Sequence, residues 1–220
     1  MAAILFRQWL PALFLLLAGC SGLQTQPPQP SSAPEVYRQH LAELEPIKHF
    51  DIRGRIGVQT NPRGFSGGLH WQHAPASDAI LLYSPLGGQV AQIDTAPAHV
   101  VLTTSDGKRY EAADAAALTQ KTLGWSLPMH GLPDWVLGRP SGSTSGTAHW
   151  DAQGRLLTLQ QDGWDIEYAQ YVAVDGQQLP SRVTLKSPKV NLKLVIEQWS
   201  LSESGQQSED ILTPDQMPEL

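Results

Sequence analysis

The sequence predicts a mainly β protein, in which one curled antiparallel sheet forms an unclosed β-barrel with an α-helical lid inserted between two groups of strands. Roughly ten short runs alternate apolar and polar side chains and are joined by hairpin-length turns, a pattern typical of such sheets. Helical patterns occur in one N-terminal segment and one insertion, so a parallel βαβ architecture is excluded. The inserted helices must bury an apolar face, and the mouth of a half-closed barrel offers them a surface.

The first nineteen residues are expected to be a secretory signal rather than part of the fold. Arg7 gives a short positive region, and the apolar run after it is too short to span a bilayer. The run ends in LAGC at positions 17–20, which matches the bacterial lipobox. Cys20 is therefore expected to carry N-acyl and S-diacylglycerol lipid, enough chains for stable anchoring. Ser21, in place of the aspartate that marks inner-membrane retention, predicts the outer membrane, facing the periplasm.

Composition and charge exclude several kinds of partner and cross-link. Cys20 is the only cysteine, so no disulfide can form within the chain. Arg7 is the only charged residue of the signal, so its removal leaves 14 basic and 21 acidic residues and a net charge of −7. That balance argues against nucleic acid as a partner and against polybasic attachment to anionic lipid. No cofactor is expected beyond the lipid on Cys20.

Composition also divides the chain. Residues 20–34 combine the lipidated cysteine with Pro, Gln and Ser and no charge, which predicts a flexible linker. Residues 35–201 are expected to form the folded domain, beginning with one amphipathic helix over residues 35–50 that is broken or bent near Pro46. Residues 202–220 carry five acidic and no basic residues, and we expect this tail to be disordered.

Within the domain, two groups of strands flank a helical insertion over residues 112–138. Alternation predicts strands from Phe50 onward in the first group, and over residues 164–168 and 182–186 among others in the second. The alanine-rich segment 112–123 predicts one helix. Residues 132–138 predict a second, short helix whose pattern Pro133 interrupts.

The turn at residues 84–88 carries an unexpected leucine. Ser84, Pro85, Gly87 and Gly88 suit a turn, each for its backbone geometry, whereas Leu86 at the tip does not. One interpretation is a leucine folded back under the sheet, since single apolar residues at the surface are common. The other is an apolar probe held out on a stiff hairpin.

The sequence gives no support for an enzyme. The run 142–146 (GSTSG) resembles a hydrolase elbow, but its central residue is threonine and no strong strand precedes it. His70 and His73 are three apart on a predicted strand, so they point to opposite faces and cannot share a metal. Walker loops, HExxH and Cys-His clusters do not occur in the sequence.

Several motifs together resemble the LolB family, the outer-membrane receptors of the lipoprotein-localisation pathway. The resemblance covers nearly the whole mature domain, and the Pro-Leu-Gly tip and Trp-Val-Leu-Gly segment are its most telling parts. The motifs, in order after the lipobox, are Arg53-Gly54-Arg55-Ile56, Gly68-Leu69-His70-Trp71-Gln72, Ser84-Pro85-Leu86-Gly87, Asp106-Gly107-Lys108-Arg109-Tyr110, Trp135-Val136-Leu137-Gly138 and Gly163-Trp164-Asp165-Ile166-Glu167-Tyr168.

The resemblance implies a protein-transport chaperone rather than an enzyme. It implies an apolar cavity for the acyl chains of triacylated lipoproteins, the periplasmic carrier LolA as partner, and delivery to outer-membrane lipid without nucleotide hydrolysis. Leu86, with Pro85 and Gly87, corresponds to the family's protruding loop. A monomer is expected. Alternation alone suggests six cavity residues: Phe50, Ile52, Ile56, Trp71, Trp135 and Trp164.

Two rival classes of protein remain open at this stage. One is a lipocalin-like lipoprotein that binds a small apolar ligand and has no carrier partner. The other is a structural lipoprotein whose sheet docks other proteins. Native mass spectrometry of the purified protein discriminates between these classes: capture of the periplasmic carrier supports the receptor, a small extracted ligand the lipocalin-like protein, and neither the structural lipoprotein.

Overall fold

A computed structural model describes residues 32–60, 64–122, 129–142 and 144–202. Within these ranges the chain forms three helices and eleven strands, and all eleven strands belong to one sheet. The helices are α1 (Ser32–Leu44), α2 (Ala115–Thr122) and α3 (Leu132–Val136). The strands are β1 (Phe50–Thr60), β2 (Gly64–Ala74), β3 (Ser77–Tyr83), β4 (Gln89–Ala96), β5 (His99–Thr104), β6 (Arg109–Ala112), β7 (Thr147–Trp150), β8 (Leu156–Gln161), β9 (Trp164–Val174), β10 (Gln177–Lys186) and β11 (Val190–Leu201).

The sheet is antiparallel and does not close. Its order is β6-β5-β4-β3-β2-β1-β11-β10-β9-β8-β7, so the first and last strands of the chain pair in the middle. β6 and β7 lie at opposite ends of this order, and in the described part of the chain each pairs with one neighbour. The helices α2 and α3 lie between these two edge strands in the sequence. The predicted fold class, an unclosed antiparallel sheet with a helical insertion, is confirmed.

Alternation gives the sheet one apolar face. On β1, Ile52 and Ile56 are buried while Arg53 and Arg55 are exposed. Ile52 pairs with Trp71 of β2, so apolar side chains of neighbouring strands fall in the same row. Full burial of such a side chain contributes about 1.5–3 kcal/mol, and α3 adds three more buried residues to the same core.

The N-terminal helix is displaced from its predicted position. α1 covers Ser32–Leu44 instead of residues 35–50, so its first turn occupies the end of the predicted linker. Pro46 disfavours helical geometry in the residue before it, so the helix ends and the chain enters β1. The ring of Tyr37 stacks on that of Trp150 at the start of the second strand group, with centroids 4.4 Å apart, and packs α1 against that end of the sheet.

The insertion also differs in detail from its prediction. Ala112 is the last residue of β6 rather than the first of a helix. α2 begins after Asp114, whose carboxylate accepts a hydrogen bond from the Ala117 amide at 2.7 Å and caps the helix. Pro133 stands in the first turn of α3, where its missing N–H has no partner to lose. The segment 123–128, which includes the predicted end of the first lid helix, lies outside the described residues.

β9 and β10 extend beyond the residues whose alternation predicts them. They pair as far as a turn at residues 175–176. Pro180 argues against a strand there, because proline cannot donate to the ladder. The structure places Pro180 at a shift in register, where the pairing is already interrupted.

Some predictions concern residues outside the described ranges: the signal over 1–19, the lipid attachment at Cys20, the linker up to residue 31 and the tail from 203. These stay predictions. Across the ranges that are described, no helix combines the length and apolar character needed to cross a bilayer.

Candidate functional site

The inner face of the sheet and the lid helix α3 enclose a small apolar cavity. Its volume is about 20 Å³, room for about one water molecule. Leu132 of α3 lines it on the lid side. All nine lining residues are apolar: Ile56, Leu69, Trp71, Ile80, Leu82, Ile93, Leu132, Leu192 and Leu194. This cavity, among the residues that the structure describes, is too small for a larger apolar ligand unless the lid moves.

α3 is bound to the sheet by a buried hydrogen-bond cluster around Gln161, the last residue of β8. The Gln161 side-chain oxygen accepts from Trp135 Nε1 at 2.8 Å and from the Ser141 amide at 2.9 Å. Its side-chain nitrogen donates to the carbonyls of Ser141 at 2.9 Å and Thr144 at 2.7 Å. Tyr168 donates its hydroxyl to the Trp135 carbonyl, and burial raises the pKa of that hydroxyl well above its usual value. Polar contacts therefore add to packing in fixing this half of the lid.

α2, the other lid helix, contacts the sheet differently. Its buried residues Ala115 and Leu118 pack at the sheet edge, where α2 touches β5 and β6. The hydroxyls of Thr119 and Thr122 donate at 2.7 Å to carbonyls one turn back in the same helix. α2 therefore lies at the edge of the sheet, on β5 and β6, whereas α3 is bonded to β8 and β9 of the second strand group.

The loop between β3 and β4 holds Leu86 in solvent. The side chain of Leu86 is 98% exposed. The turn beneath it is closed by backbone hydrogen bonds, from Ser84 N to Gly88 O at 2.7 Å and from Gly87 N to Ser84 O at 2.9 Å. Gly87 has a φ of 87°, a left-handed conformation that glycine adopts without strain, and the ring of Pro85 restricts the turn further. The structure therefore confirms the second interpretation of Leu86, an apolar side chain held out in solvent on a hairpin.

The six residues predicted to line a cavity all lie in or against the core. Two of them, Ile56 and Trp71, line the small cavity. The ring of Phe50 meets that of Trp71 edge-on at 5.0 Å, and the half-buried Trp164 lies 6.4 Å from Trp135. Five of the six are buried: Phe50, Ile52, Ile56, Trp71 and Trp135. The other strand residues that line the cavity could have been predicted from the same alternation of apolar and polar side chains. Leu132 could not, because it reaches the cavity only when α3 packs against the sheet.

Two histidines near the core each form a hydrogen bond with an aspartate. His70 Nε2 lies 2.7 Å from an oxygen of Asp51, and His73 Nδ1 lies 2.7 Å from an oxygen of Asp78. The Asp78 carboxylate also accepts from Nε1 of the buried Trp71 at 2.8 Å, so it satisfies polar groups beside the core. Among the residues that the structure describes, no group of three or more His, Cys, Asp or Glu could hold a metal ion.

These features define the class of protein: an unclosed, lidded β-barrel with an apolar interior and one apolar loop held in solvent. Residues 48–199 match the family described as "Outer membrane lipoprotein LolB". The chain belongs to the LolB family of outer-membrane lipoproteins.

Individual relatives agree with this assignment. The outer-membrane lipoprotein LolB of Pseudomonas syringae pv. syringae (strain B728a) is 35% identical over 196 residues, covering 89% of this chain and 96% of that protein. The outer-membrane lipoprotein LolB of Nitrosomonas europaea is 35% identical over 205 residues, covering 88% and 92%. Among solved structures, a LolA superfamily protein from Nitrosomonas europaea covers 77% of this chain and 93% of its own at 8% identity and a TM-score of 0.44.

Family membership confirms two expectations from the sequence. The protein is a lipid-anchored lipoprotein of the outer membrane, as the lipobox and Ser21 predict. Its role lies in lipoprotein localisation at the outer membrane.

Proposed function

We propose that this protein accepts triacylated lipoproteins from the soluble periplasmic carrier LolA and inserts them into the outer membrane without nucleotide hydrolysis. The acyl chains bind in the apolar interior beneath the lid. Leu86, 98% exposed on a turn closed by its own hydrogen bonds, is the main support for this proposal. An apolar side chain held in water on a stiff turn is stabilised when it meets another apolar surface, and a lipid layer is such a surface.

The main obstacle to moving a lipoprotein through water is the apolar surface of its acyl chains. Burying one methylene group contributes about 0.8 kcal/mol, so three long chains exposed to water would cost on the order of tens of kcal/mol. Each stage of transport therefore needs an apolar site. The final site can release its cargo without fuel if the chains bind the bilayer more strongly than they bind the protein.

Cargo entry requires the lid to open. The cavity of about 20 Å³ is far smaller than an acyl chain, and Leu132 occupies the lid side of it. An entering chain would take the place of Leu132 against the same apolar wall. The wall then exchanges contact with the lid for contact with the cargo, so its apolar surface stays covered in both states.

A lipocalin-like lipoprotein that holds a small apolar ligand was the alternative from the sequence. Small-molecule sites are usually preformed and measure about 300–1,000 Å³. The apolar cavity here is about 20 Å³, so the lid would have to open for a small ligand as well as for an acyl chain. Ligand storage gives Leu86 no reason to stand in solvent, and this observation favours acyl-chain transfer to a membrane.

The proposal is tested by Leu86→Glu in a reconstituted system of cargo-loaded carrier and liposomes. We expect this variant to accept cargo as the parent does and to lose delivery to liposomes, because a carboxylate resists entry into lipid. Leu157→Glu is the matched control, since Leu157 is another exposed leucine, at 46%, on a strand away from the loop. Delivery by Leu86→Glu at the parent rate would show the proposal to be wrong.

A second experiment separates the anchor from the site. The processed chain with Cys20→Ala is expected to stay in solution and still accept cargo from the carrier, because the apolar interior is built by the folded domain. Co-purification with labelled cargo measures acceptance. Loss of acceptance together with the anchor would mean that the lipid on Cys20 shapes the binding site.

A further inference from the structure

A polar groove runs along the outer face of the sheet, next to the Leu86 loop. It has a volume of about 600 Å³ and is lined by residues of β1, β2 and β11 together with the loop itself. Parts of two sequence motifs meet here, residues 53–55 of β1 and residues 68–70 of β2, and the proposed function leaves the outward-facing side chains of both motifs without a role. Ser84, Pro85 and Gly87 of the loop motif complete the wall.

Glycine keeps the floor of this groove open. Gly68 pairs with Arg55 on one side and with Tyr83 on the other, so the three lie in one row across the outer face. A Cβ added to Gly68 would come within 3.3 Å of the Tyr83 Cβ, so a side chain has little room there. Because neighbouring strands lie about 4.8 Å apart, the side chains of Arg55 and Tyr83 start about 10 Å apart across the gap.

Charged groups of both signs stand on the rim. Arg55 donates from Nε to a Glu197 oxygen at 2.8 Å, and the two side chains are 70% and 50% exposed. Arg53, 61% exposed, has a looser contact of 3.8 Å with Asp51. A guanidinium carries five N–H donors, so one bond to a carboxylate leaves others for a ligand. The groove thus offers two guanidinium groups and, beside them, one exposed carboxylate.

We propose that this groove binds the headgroup of a zwitterionic phospholipid at the membrane surface, with the phosphate on Arg53 and Arg55 and the ammonium on Glu197. Guanidinium forks match the geometry of phosphate oxygens, and the carboxylate complements the ammonium. The inference rests on the proposed function, because insertion of Leu86 is what brings the groove to the lipid.

The position of the groove fits this ligand. Leu86 lies three residues beyond Tyr83, roughly 10 Å along the chain. The headgroup layer is about 5–8 Å thick on each side of a bilayer. With Leu86 at the hydrocarbon boundary, the row that holds Tyr83, Gly68 and Arg55 therefore lies at the water-facing edge of the headgroup layer, where phosphate groups meet an arginine side chain that extends from the sheet. Headgroup binding would set the depth and tilt of the protein while cargo leaves.

The test measures binding of the processed Cys20→Ala chain to three kinds of vesicle made in one neutral galactolipid: with phosphatidylethanolamine, with phosphatidylglycerol, or with neither. We expect Arg53→Gln/Arg55→Gln to bind phosphatidylethanolamine vesicles about tenfold more weakly than the parent. Both side chains are exposed, so the fold should tolerate the change. Lys48→Gln/Arg182→Gln removes the same charge outside the groove and should bind as the parent does.

Glu197→Gln distinguishes headgroup recognition from general attraction between charges. It should weaken binding to phosphatidylethanolamine vesicles and leave binding to phosphatidylglycerol vesicles undiminished, because only the first headgroup carries an ammonium. Stronger binding of Glu197→Gln to both phospholipid vesicles would overturn the proposal. The proposal would also be wrong if Arg53→Gln/Arg55→Gln bound as strongly as its control variant. The same holds if its affinity for vesicles of galactolipid alone fell by the same factor as its affinity for phosphatidylethanolamine vesicles.

Failure of this inference and failure of the proposed function give different results. Leu86→Glu should lose binding to all three vesicles, including galactolipid alone, because its loss concerns the hydrocarbon and not the headgroup. If Leu86→Glu keeps full binding, the membrane contact of the proposed function is wrong. The groove is judged separately, by the difference between phosphatidylethanolamine and galactolipid vesicles.

Discussion

Leu86 and Leu132 are the same residue type at opposite extremes of exposure. Leu86 is 98% exposed at the tip between β3 and β4, whereas Leu132 is 3% exposed beneath the lid. Leu132 follows the burial that drives folding. Leu86 stays in solvent because the turn that carries it is closed by its own hydrogen bonds. The lid leucine therefore contributes to stability, while the loop leucine is available to a surface outside the protein.

The largest expected effect separates the two leucines by stability. Leu132→Ala should lower the free energy of unfolding by about 2–5 kcal/mol, because it enlarges an apolar cavity in a packed core. Leu86→Ala, its matched control, should change it by less than about 0.5 kcal/mol. Urea denaturation followed by tryptophan fluorescence measures both. Equal losses of unfolding free energy in the two variants would contradict the conclusion that only Leu132 contributes to stability.

A second, smaller effect concerns what holds the lid over Leu132. Gln161→Leu leaves the Trp135 indole N–H without its acceptor, and an unsatisfied buried group costs about 1–3 kcal/mol. Hydrogen exchange should then speed up at the Trp135 and Gly138 amides, which both bond within the α3 segment.

Gln160→Leu is the control for that change. Gln160 is the exposed neighbour on β8, and its amide donates at 2.9 Å to the exposed Asp165. Its replacement should alter stability by no more than about 0.5 kcal/mol. If both variants leave exchange in α3 unchanged, the Gln161 cluster does not hold the lid.

The smallest expected effect is a pH dependence of the free energy of unfolding, caused by the buried side chain of His40. Burial lowers the pKa of His40 in α1, an effect that Arg155 reinforces and that Glu43 and Asp151 oppose. The unfolded chain then takes up this proton more readily than the folded one. Stability linked to His40 is therefore complete above about pH 6.5 and is lost as the pH falls below that value.

His40→Gln removes this titrating group, so the variant should lose less stability than the parent between neutral and acidic pH. Urea midpoints of the two proteins, measured above and below about pH 6.5, give the comparison. Parallel pH profiles would mean that the buried histidine does not contribute to the acid sensitivity of the fold.

Much of the fold could be predicted because the relevant signals are local. Alternation on β1 assigns Ile52 inward and Arg53 outward without any knowledge of the partner strands. The predicted helix begins too early, at residue 112, because Asp114 caps α2 and the helix starts only after it. The predicted parts of β9 and β10 are too short, because Pro180 argues against a strand while a register shift in the structure accommodates it. Local rules fail at such positions because neighbouring strands and caps decide them.

The candidate site divides in the same way. Pro85 and Gly87 mark Leu86 as unusual within its own turn, and the outward position follows from that turn. The contact of Leu132 with the cavity and the bond from Trp135 to Gln161 join residues far apart in the sequence. Their partners follow from how the chain folds back on itself, and no local pattern contains that information.

Local signals along the chain establish the lipobox, the alternation that builds a curled antiparallel sheet, and a leucine in a turn that does not require one. Tertiary contacts establish that the apolar cavity beneath α3 is small, that α3 is bonded to the sheet through Gln161, and that a polar groove lies beside Leu86 on the other face. The physical reason is that backbone preferences act over a few residues, whereas cavities and grooves depend on which strands become neighbours. In this sheet β1 and β11, from opposite ends of the domain, are such neighbours.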